Sequence, residues 1–441
     1  MKSRKLADYL RWAALFMFGA GLFVTSFRSQ DMTEAWRVRT FVQPFQSLRS
    51  MYLPVSLALL ASGTALQVVA GGRLHLRTGY LAMFCFMVFQ AFLFFRNLMV
   101  GNESVLVVGK ALGSYVFVLM LALWTTSTRD LNEAVRNLLR LFAWCAFIST
   151  ACMAIQAAVD FSPLIWQGKV MGFSGHYMTF GVGCGCLFGA TLTLLKLESS
   201  RSCWWTTLIA SVSMPLMIVA SGSKTAMLAT MIAIAAMWGA RNRMRAAWLC
   251  AIGIPLALIA GVVLDNYRGR SSFAVIFDRD GPWTDLWKAF LQRPVVGGGV
   301  LPPMSVVAGG GFSTESGYLV AMAVGGMVAV ILLGVFVVTI LARLLFIFRN
   351  NAPGTIDPSV KQFLAYAFTY IAVASIFEGF MIQMVQTYSI EILFGITAIY
   401  IADMSASQAM SSRQVRSASP RGMQCARGTS SGCMKIAPLS R

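Results

Sequence analysis

The stretch GYLVAMAVGGMVAVILLGVFVVTILARLLFIF, residues 317–348, carries a single charge, Arg343. It is longer than the roughly 20 apolar residues that one bilayer crossing requires. A helix of that length tilts or extends beyond the lipid. Immediately before it, residues 265–316 form a long polar interruption, flanked on the other side by the apolar run 246–264. The core of the interruption reads YRGR (267–270), FDRDGPW (277–283) and RPVVGGG (293–299), and it closes on STES (313–316).

Runs like 317–348 recur along most of the chain. The 441 residues are 57% hydrophobic and only 12% charged. A soluble domain of this size needs far more charge to cover its surface, so the composition indicates an all-α, polytopic integral membrane protein. The strands of a β-barrel would alternate rather than run continuously apolar. The length criterion gives about twelve spans. They fall near residues 12–27, 51–70, 78–95, 104–124, 138–159, 176–195, 203–220, 224–240, 246–264, 317–348, 362–380 and 384–402. The basic N-terminal segment followed by the first run reads as an uncleaved first span rather than a signal peptide.

Basic residues orient the spans. Alternating the loops places 23 of the 36 Lys and Arg on the side of the N-terminus, including Arg241, Arg243 and Arg245, and 12 on the other side. By the positive-inside rule both termini are cytoplasmic, and residues 265–316 form one large extracytoplasmic loop. The net charge of +19 is distributed as cytoplasmic loops require, so it does not indicate nucleic-acid binding. Residues 129–140 read as a short amphipathic helix or solvated loop at the cytoplasmic surface. The Ser- and Arg-rich residues 404–441 read as a disordered basic cytoplasmic tail, attracted at most to anionic headgroups. The cysteines suggest no disulfide framework, and Cys184 and Cys186 read as packing residues rather than metal ligands.

Several charged residues on the outer side are candidates for chemistry. Lys224, in the turn ASGSKT (220–225), either meets a phosphate or anionic headgroup or snorkels at a helix start. Arg268, Arg270 and Arg279 either clamp a diphosphate through bidentate hydrogen bonds or pair with Asp265, Asp278, Asp280 and Asp285. Glu315 either sits at a helix N-terminus for its dipole or acts as a general base. His176, close in sequence to Lys169, is a candidate proton donor or base, or else an interfacial anchor. Lys110 and Glu378 are charges at membrane depth, functional or structural. Residues 283–291 are expected to be helical. Trp283 and Trp287 share one face of that helix, where they stack on sugars or lie at the membrane interface. Gly297–Gly299 and Gly309–Gly311 read as loop hinges.

The order of these features resembles the C-terminal region of the O-antigen ligase and O-antigen polymerase family, which includes exopolysaccharide polymerases. The resemblance rests on Ser221-Gly-Ser-Lys224 between two spans, then a large outer loop with an Arg ahead of Trp287-Lys-Ala-Phe290. Pro294-x-x-Gly-x-Gly299 follows, then Glu315-Ser-Gly-Tyr-Leu319 and Gly325-Gly326. It covers roughly residues 203–348. Residues 1–202 would then be N-terminal spans, and 349–403 C-terminal spans.

The resemblance implies a metal-independent glycosyltransferase, without cofactor, in the bacterial inner (cytoplasmic) membrane. Its donor is an undecaprenyl-diphosphate-linked oligosaccharide. Lys224 falls where the family has a diphosphate-binding Arg, and Arg279 on the loop Arg. Arg268, Arg270 and Lys169 are further diphosphate-binding candidates, Trp283 and Trp287 sugar-binding ones. Glu315 falls where ligases carry the catalytic His of a His-Asn pair. That departure directs the reading to a polysaccharide repeat-unit polymerase, with Glu315 or His176 as base. A chain-length regulator, a flippase and membrane lipids are the expected partners. The alternatives are an O-antigen ligase acting on lipid A-core and, in a different class, a lipid-linked-glycan transporter or flippase.

Overall fold

The computed structural model describes residues 5–14, 17, 51–70, 80–99, 131–166, 168–172, 177–198, 200–240, 280–298, 316–349, 356–377 and 390–418. Ten helices carry the architecture: α1 (Tyr52–Val69), α2 (Leu81–Met99), α3 (Leu131–Val159), α4 (Tyr177–Leu197), α5 (Arg201–Ser221), α6 (Lys224–Gly239), α7 (Asp280–Gln292), α8 (Gly317–Arg349), α9 (Pro358–Phe377) and α10 (Ile390–Ala418). A two-stranded hairpin, β1 (Ile165–Trp166) and β2 (Lys169–Val170), precedes α4, with Ile165 opposite Val170. Residues 5–14 are also helical.

Among the described residues, five helical stretches are long and apolar enough to cross a membrane: Leu131–Val159, Tyr177–Leu197, Cys203–Ser221, Gly317–Arg349 and Pro358–Phe377. The chain is therefore an all-α protein with the helices of a membrane protein. The expected spans 104–124 and 246–264 lie outside the described residues, as does nearly all of 12–27.

Antiparallel pairs build the bundle. α4 packs on α5, α6 on α9, and α8 on α2. Glycines four residues apart let α9 approach α4 closely, as small residues do at membrane helix contacts. Gly185 faces the Tyr370 ring and Gly189 the Tyr366 ring. The two rings stack 5.7 Å apart. Their hydroxyls donate to the Val182 and Gly185 carbonyls, each at 2.8 Å. Any Cβ at either glycine would enter a tyrosine ring.

One end of the bundle is tied by buried charge. Arg140 on α3 donates from Nε and Nη2 to both carboxylate oxygens of Glu198, at 2.7 and 2.8 Å, and the Glu198 side chain is fully buried. Lys196 donates to Gln362. Asp403 on α10 accepts from the Ala82 and Met83 amides at the start of α2 and pairs with Arg343 of α8 at 3.5 Å. One carboxylate thus joins three helices and caps one of them.

Three expectations change here. Residues 131–140 are the first turns of the continuous helix α3, because Leu131, Ala134, Val135, Leu138 and Leu139 are all buried. The tail is helical as far as Ala418, since Met404, Ala406 and Ala409 extend the buried face of α10. The long run 317–348 is broken: Gly326 has φ 61° and ψ −157°, which divides α8 into two helical pieces.

The break is filled by residues 294–298, which follow α7. The amides of Met327 and Val328, freed from the helical ladder, donate to the Pro294 and Val295 carbonyls at 2.7 and 3.2 Å. The Gly298 amide donates to the Ala323 carbonyl at 2.8 Å. Arg96, near the end of α2, donates to the Val296 and Gly297 carbonyls at 2.8 Å each. Gly297 (φ 70°) abuts the backbone of Val324 and Gly325. It is a docked residue rather than a loop hinge.

Candidate functional site

The hairpin, the start of α4 and the α5–α6 turn meet at the end opposite the Asp403 tie. At the entry to the hairpin, Asp160 accepts from the Ser162 amide and hydroxyl at 2.9 and 2.8 Å. Those two donors hold its carboxyl below the usual carboxylate range. Gly168 (φ 73°) makes the reversal between the strands. Lys169 follows and is 8% exposed, with its Nζ 3.9 Å from the centre of the Tyr177 ring. A lysine over a tyrosine face is worth about 0.5–2 kcal/mol, more as water is excluded.

β2 lies against α5, whose C-terminus enters the second element of the site. Gly222 ends α5 in the left-handed conformation that glycine tolerates, and its amide reaches the Val219 carbonyl. Ser223 caps α6 by accepting from the Ala226 amide. Ser221 donates to the Ile218 carbonyl. Both hydroxyls are buried and serve the turn, so they are structural rather than ligand groups. Gly181 of α4 packs on Ser221 and Ser223, 2.6 Å from each at the position a Cβ would occupy.

Lys169 and Lys224 are therefore brought to one end of the bundle, around the first turns of α4. Lys224 is partly exposed and is the first residue of α6, where the helix dipole favours an anion. An ammonium at a helix N-terminus suits an anion such as a phosphate.

Trp283 and Trp287 belong to a different part of the molecule. α7 packs on α8, and its Leu286 is fully buried in a separate apolar cluster with Phe89, Leu93, Val320 and Val324. Trp287 is 45% exposed and lies against Phe290, with ring centres 5.3 Å apart. Glu315, His176, Arg268, Arg270 and Arg279 lie outside the described residues, as do Lys110, Glu378 and Gly309–Gly311. Glu315 adjoins Ser316, which is buried at the start of α8, and His176 adjoins Tyr177.

Two polar residues at this end were not legible in advance. Arg96 clamps the segment docked on α8. Glu391, in the first turn of α10, is 3% exposed and its Oε1 lies 3.1 Å from the Cβ position of Gly183. An acidic residue opening an apolar helix is the signal that could have found it. Among the described residues no three His, Cys, Asp or Glu side chains are grouped so as to hold a metal ion.

No protein-family model matches this chain, and no curated protein matches it.

Proposed function

We propose that this chain is a polysaccharide repeat-unit polymerase. It transfers a glycan from undecaprenyl diphosphate to the nonreducing end of another lipid-linked repeat at the outer face of a bacterial inner membrane. The observation that carries this reading is that Lys224 opens α6 at a helix N-terminus, while β2, which bears Lys169, packs on α5, the helix that leads into that turn. A secondary support is that the two glycine motifs of the family-like region, at 297 and 325–326, touch each other. In this reading the chain has about twelve spans, both termini are cytoplasmic, and residues 265–316 are an outer loop.

The reaction breaks the bond between the anomeric carbon of the donor glycan and the diphosphate oxygen. A sugar hydroxyl of the acceptor attacks, and its proton passes to Glu315 or His176. Negative charge grows on the leaving diphosphate, and Lys169 and Lys224 stabilise it together with Arg268, Arg270 and Arg279. A charged hydrogen bond contributes about 1.5–3 kcal/mol, so losing one from the transition state slows transfer about 10- to 100-fold.

The test uses the purified chain in vesicles with lipid-linked repeats and no added nucleotide. Elongation is expected, with Lys224→Ala and Lys169→Ala slowed by that factor and Glu315→Gln inactive. Movement of substrate across the vesicle without bond formation refutes the reading in favour of a transporter, a class in which broken helices such as α8 are common. In a deletion strain, accumulation of single repeats indicates the polymerase, whereas accumulation of finished polymer indicates the ligase.

A further inference from the structure

The surface of α7 is more apolar than its packing requires. At about 100° per residue, its apolar positions cover an arc of roughly 140°. Leu286 and Phe290 occupy one half of that arc and are buried, Leu286 against residues of α8 and α2. The other half is Trp283, Trp287 and Leu291. Trp287 and Leu291 are 45% and 56% exposed. Past that edge come Thr284, Asp285, Lys288 and Gln292, all exposed, with Lys288 3.9 Å from Asp285. The helix therefore has a covered apolar face, an open apolar face and a polar face, in that order.

The open face does not end with the helix. Val295 and Val296 follow it and are also exposed. The hydrogen bonds across the break in α8 set them beside Met327. From Met327 the exposed apolar surface continues down α8 through Ile331, Val335, Val338, Leu341 and Leu345. α8 is the most apolar of the candidate spans and the least buried in the bundle, so this stripe faces lipid.

Length then sets the level of the joint. The piece of α8 from Met327 to Arg349 is roughly 34 Å long at the helical rise, enough alone for a hydrocarbon core of about 30 Å. Gly326 thus lies at the membrane boundary, with residues 317–325 beyond it. Arg96, near the end of the 19-residue α2, lies at the same level. α7 is attached to the bundle at that boundary.

We infer that α7 is an interfacial helix whose exposed Trp287–Leu291 edge, with Val295 and Val296, is seated in the acyl region of the bilayer. Its partner is membrane phospholipid. Tryptophan suits this level, having an apolar ring and one N–H for the headgroup region. The seat holds α7 at the membrane surface instead of leaving it in a water-exposed loop. This inference is independent of the reaction proposed above.

Photocrosslinking tests it with the full chain in vesicles of phosphatidylethanolamine and phosphatidylglycerol. Benzoylphenylalanine is placed at Trp287, Leu291 or Val295, and at Asp285 or Lys288 for comparison. Irradiation is expected to yield phospholipid adducts at the first three positions and none above background at the other two. Adducts to a second copy of the chain, equal lipid adducts at all five positions, or none at Trp287 and Leu291 would each overturn the inference. A second readout is tryptophan emission. Trp287→Phe should remove part of the quenching by brominated phospholipid and leave quenching by aqueous iodide unchanged. Loss of iodide quenching instead refutes the seat.

Discussion

Gly326→Ala tests whether α8 is two pieces locked by a docked segment. The backbone at Gly326, φ 61° and ψ −157°, is open essentially only to glycine. Placing alanine there costs of order 1–3 kcal/mol in strain. Its Cβ would also lie 2.5 Å from both the Gly297 nitrogen and the Val295 oxygen. Both are backbone atoms, so no side chain can rotate to relieve the contact. Residues 294–298 must lift from α8, which breaks the bonds from Met327 to Pro294, Val328 to Val295 and Gly298 to Ala323. At about 0.5–1.5 kcal/mol net for each bond, the combined loss with the strain is about 2.5–7.5 kcal/mol. That is a large share of the 5–15 kcal/mol typical of a folded domain.

The assay is thermal unfolding of the purified chain in one detergent, followed by tryptophan emission. Gly326→Ala should lower the midpoint by several degrees. Gly334→Ala is the control, because a Cβ at Gly334 meets nothing within 4 Å. That change should leave the midpoint level or raise it, since alanine favours helix over glycine. Gly297→Ala removes the same docking from the other side, so Gly297→Ala with Gly326→Ala should cost little more than the worse single change. A Gly326→Ala midpoint equal to wild type, or additive effects of the two changes, would refute the locked joint.

Asp403→Ala leaves the Arg343 guanidinium without its carboxylate and the first amides of α2 without an acceptor. It should cost about 3 kcal/mol in the same unfolding assay, with Asp403→Asn milder because an acceptor remains; unchanged unfolding by Asp403→Ala would show that the tie carries no stability. Arg140→Ala and Glu198→Ala should be coupled by about 1–3 kcal/mol in a double-mutant cycle, because the pair is bidentate and Glu198 is buried. A coupling near zero would mean the pair is a passive contact.

Helix positions were readable where the apolar run and its stop signals coincide. Residues 224–240 were expected as a span and α6 occupies Lys224–Gly239, because Gly222 and Ser223 supply the C-terminal reversal and the next cap. Residues 283–291 were expected as a helix and α7 runs Asp280–Gln292. The helical stretch after residue 404 was hidden because Ser, Gln and Arg dilute an apolar spacing that only packing reveals. The break at Gly326 was hidden for a different reason. Gly325-Gly326 inside an apolar run reads as close packing, and what opens the helix is a segment some thirty residues earlier. At the candidate site, Lys224 could be placed at a helix start from Ser-Gly-Ser-Lys alone. The ring beneath Lys169 could not, since the partner Tyr177 comes from the other side of a turn.

The joint in α8 also bears on the basic residues. The sequence offered Lys224, Lys169, Arg268, Arg270 and Arg279 as anion-binding candidates, with structural roles as the alternative for Lys224 and the arginines. Arg96 answers another need. Docking residues 294–298 into the break of α8 leaves the Val296 and Gly297 carbonyls outside any helical ladder, and both accept from Arg96. A guanidinium supplies two fixed donors at once, which an ammonium does not do with the same geometry. Arg96, Gly297 and Gly326 are thus three parts of one construction, and its five hydrogen bonds make the region after α7 rigid where a glycine run suggested a hinge. Anion binding on this side then has to be argued residue by residue, from position. In the proposed function Lys224 is a candidate through the helix N-terminus it occupies and Lys169 through the packing of β2 on α5, whereas Arg96 serves the structure.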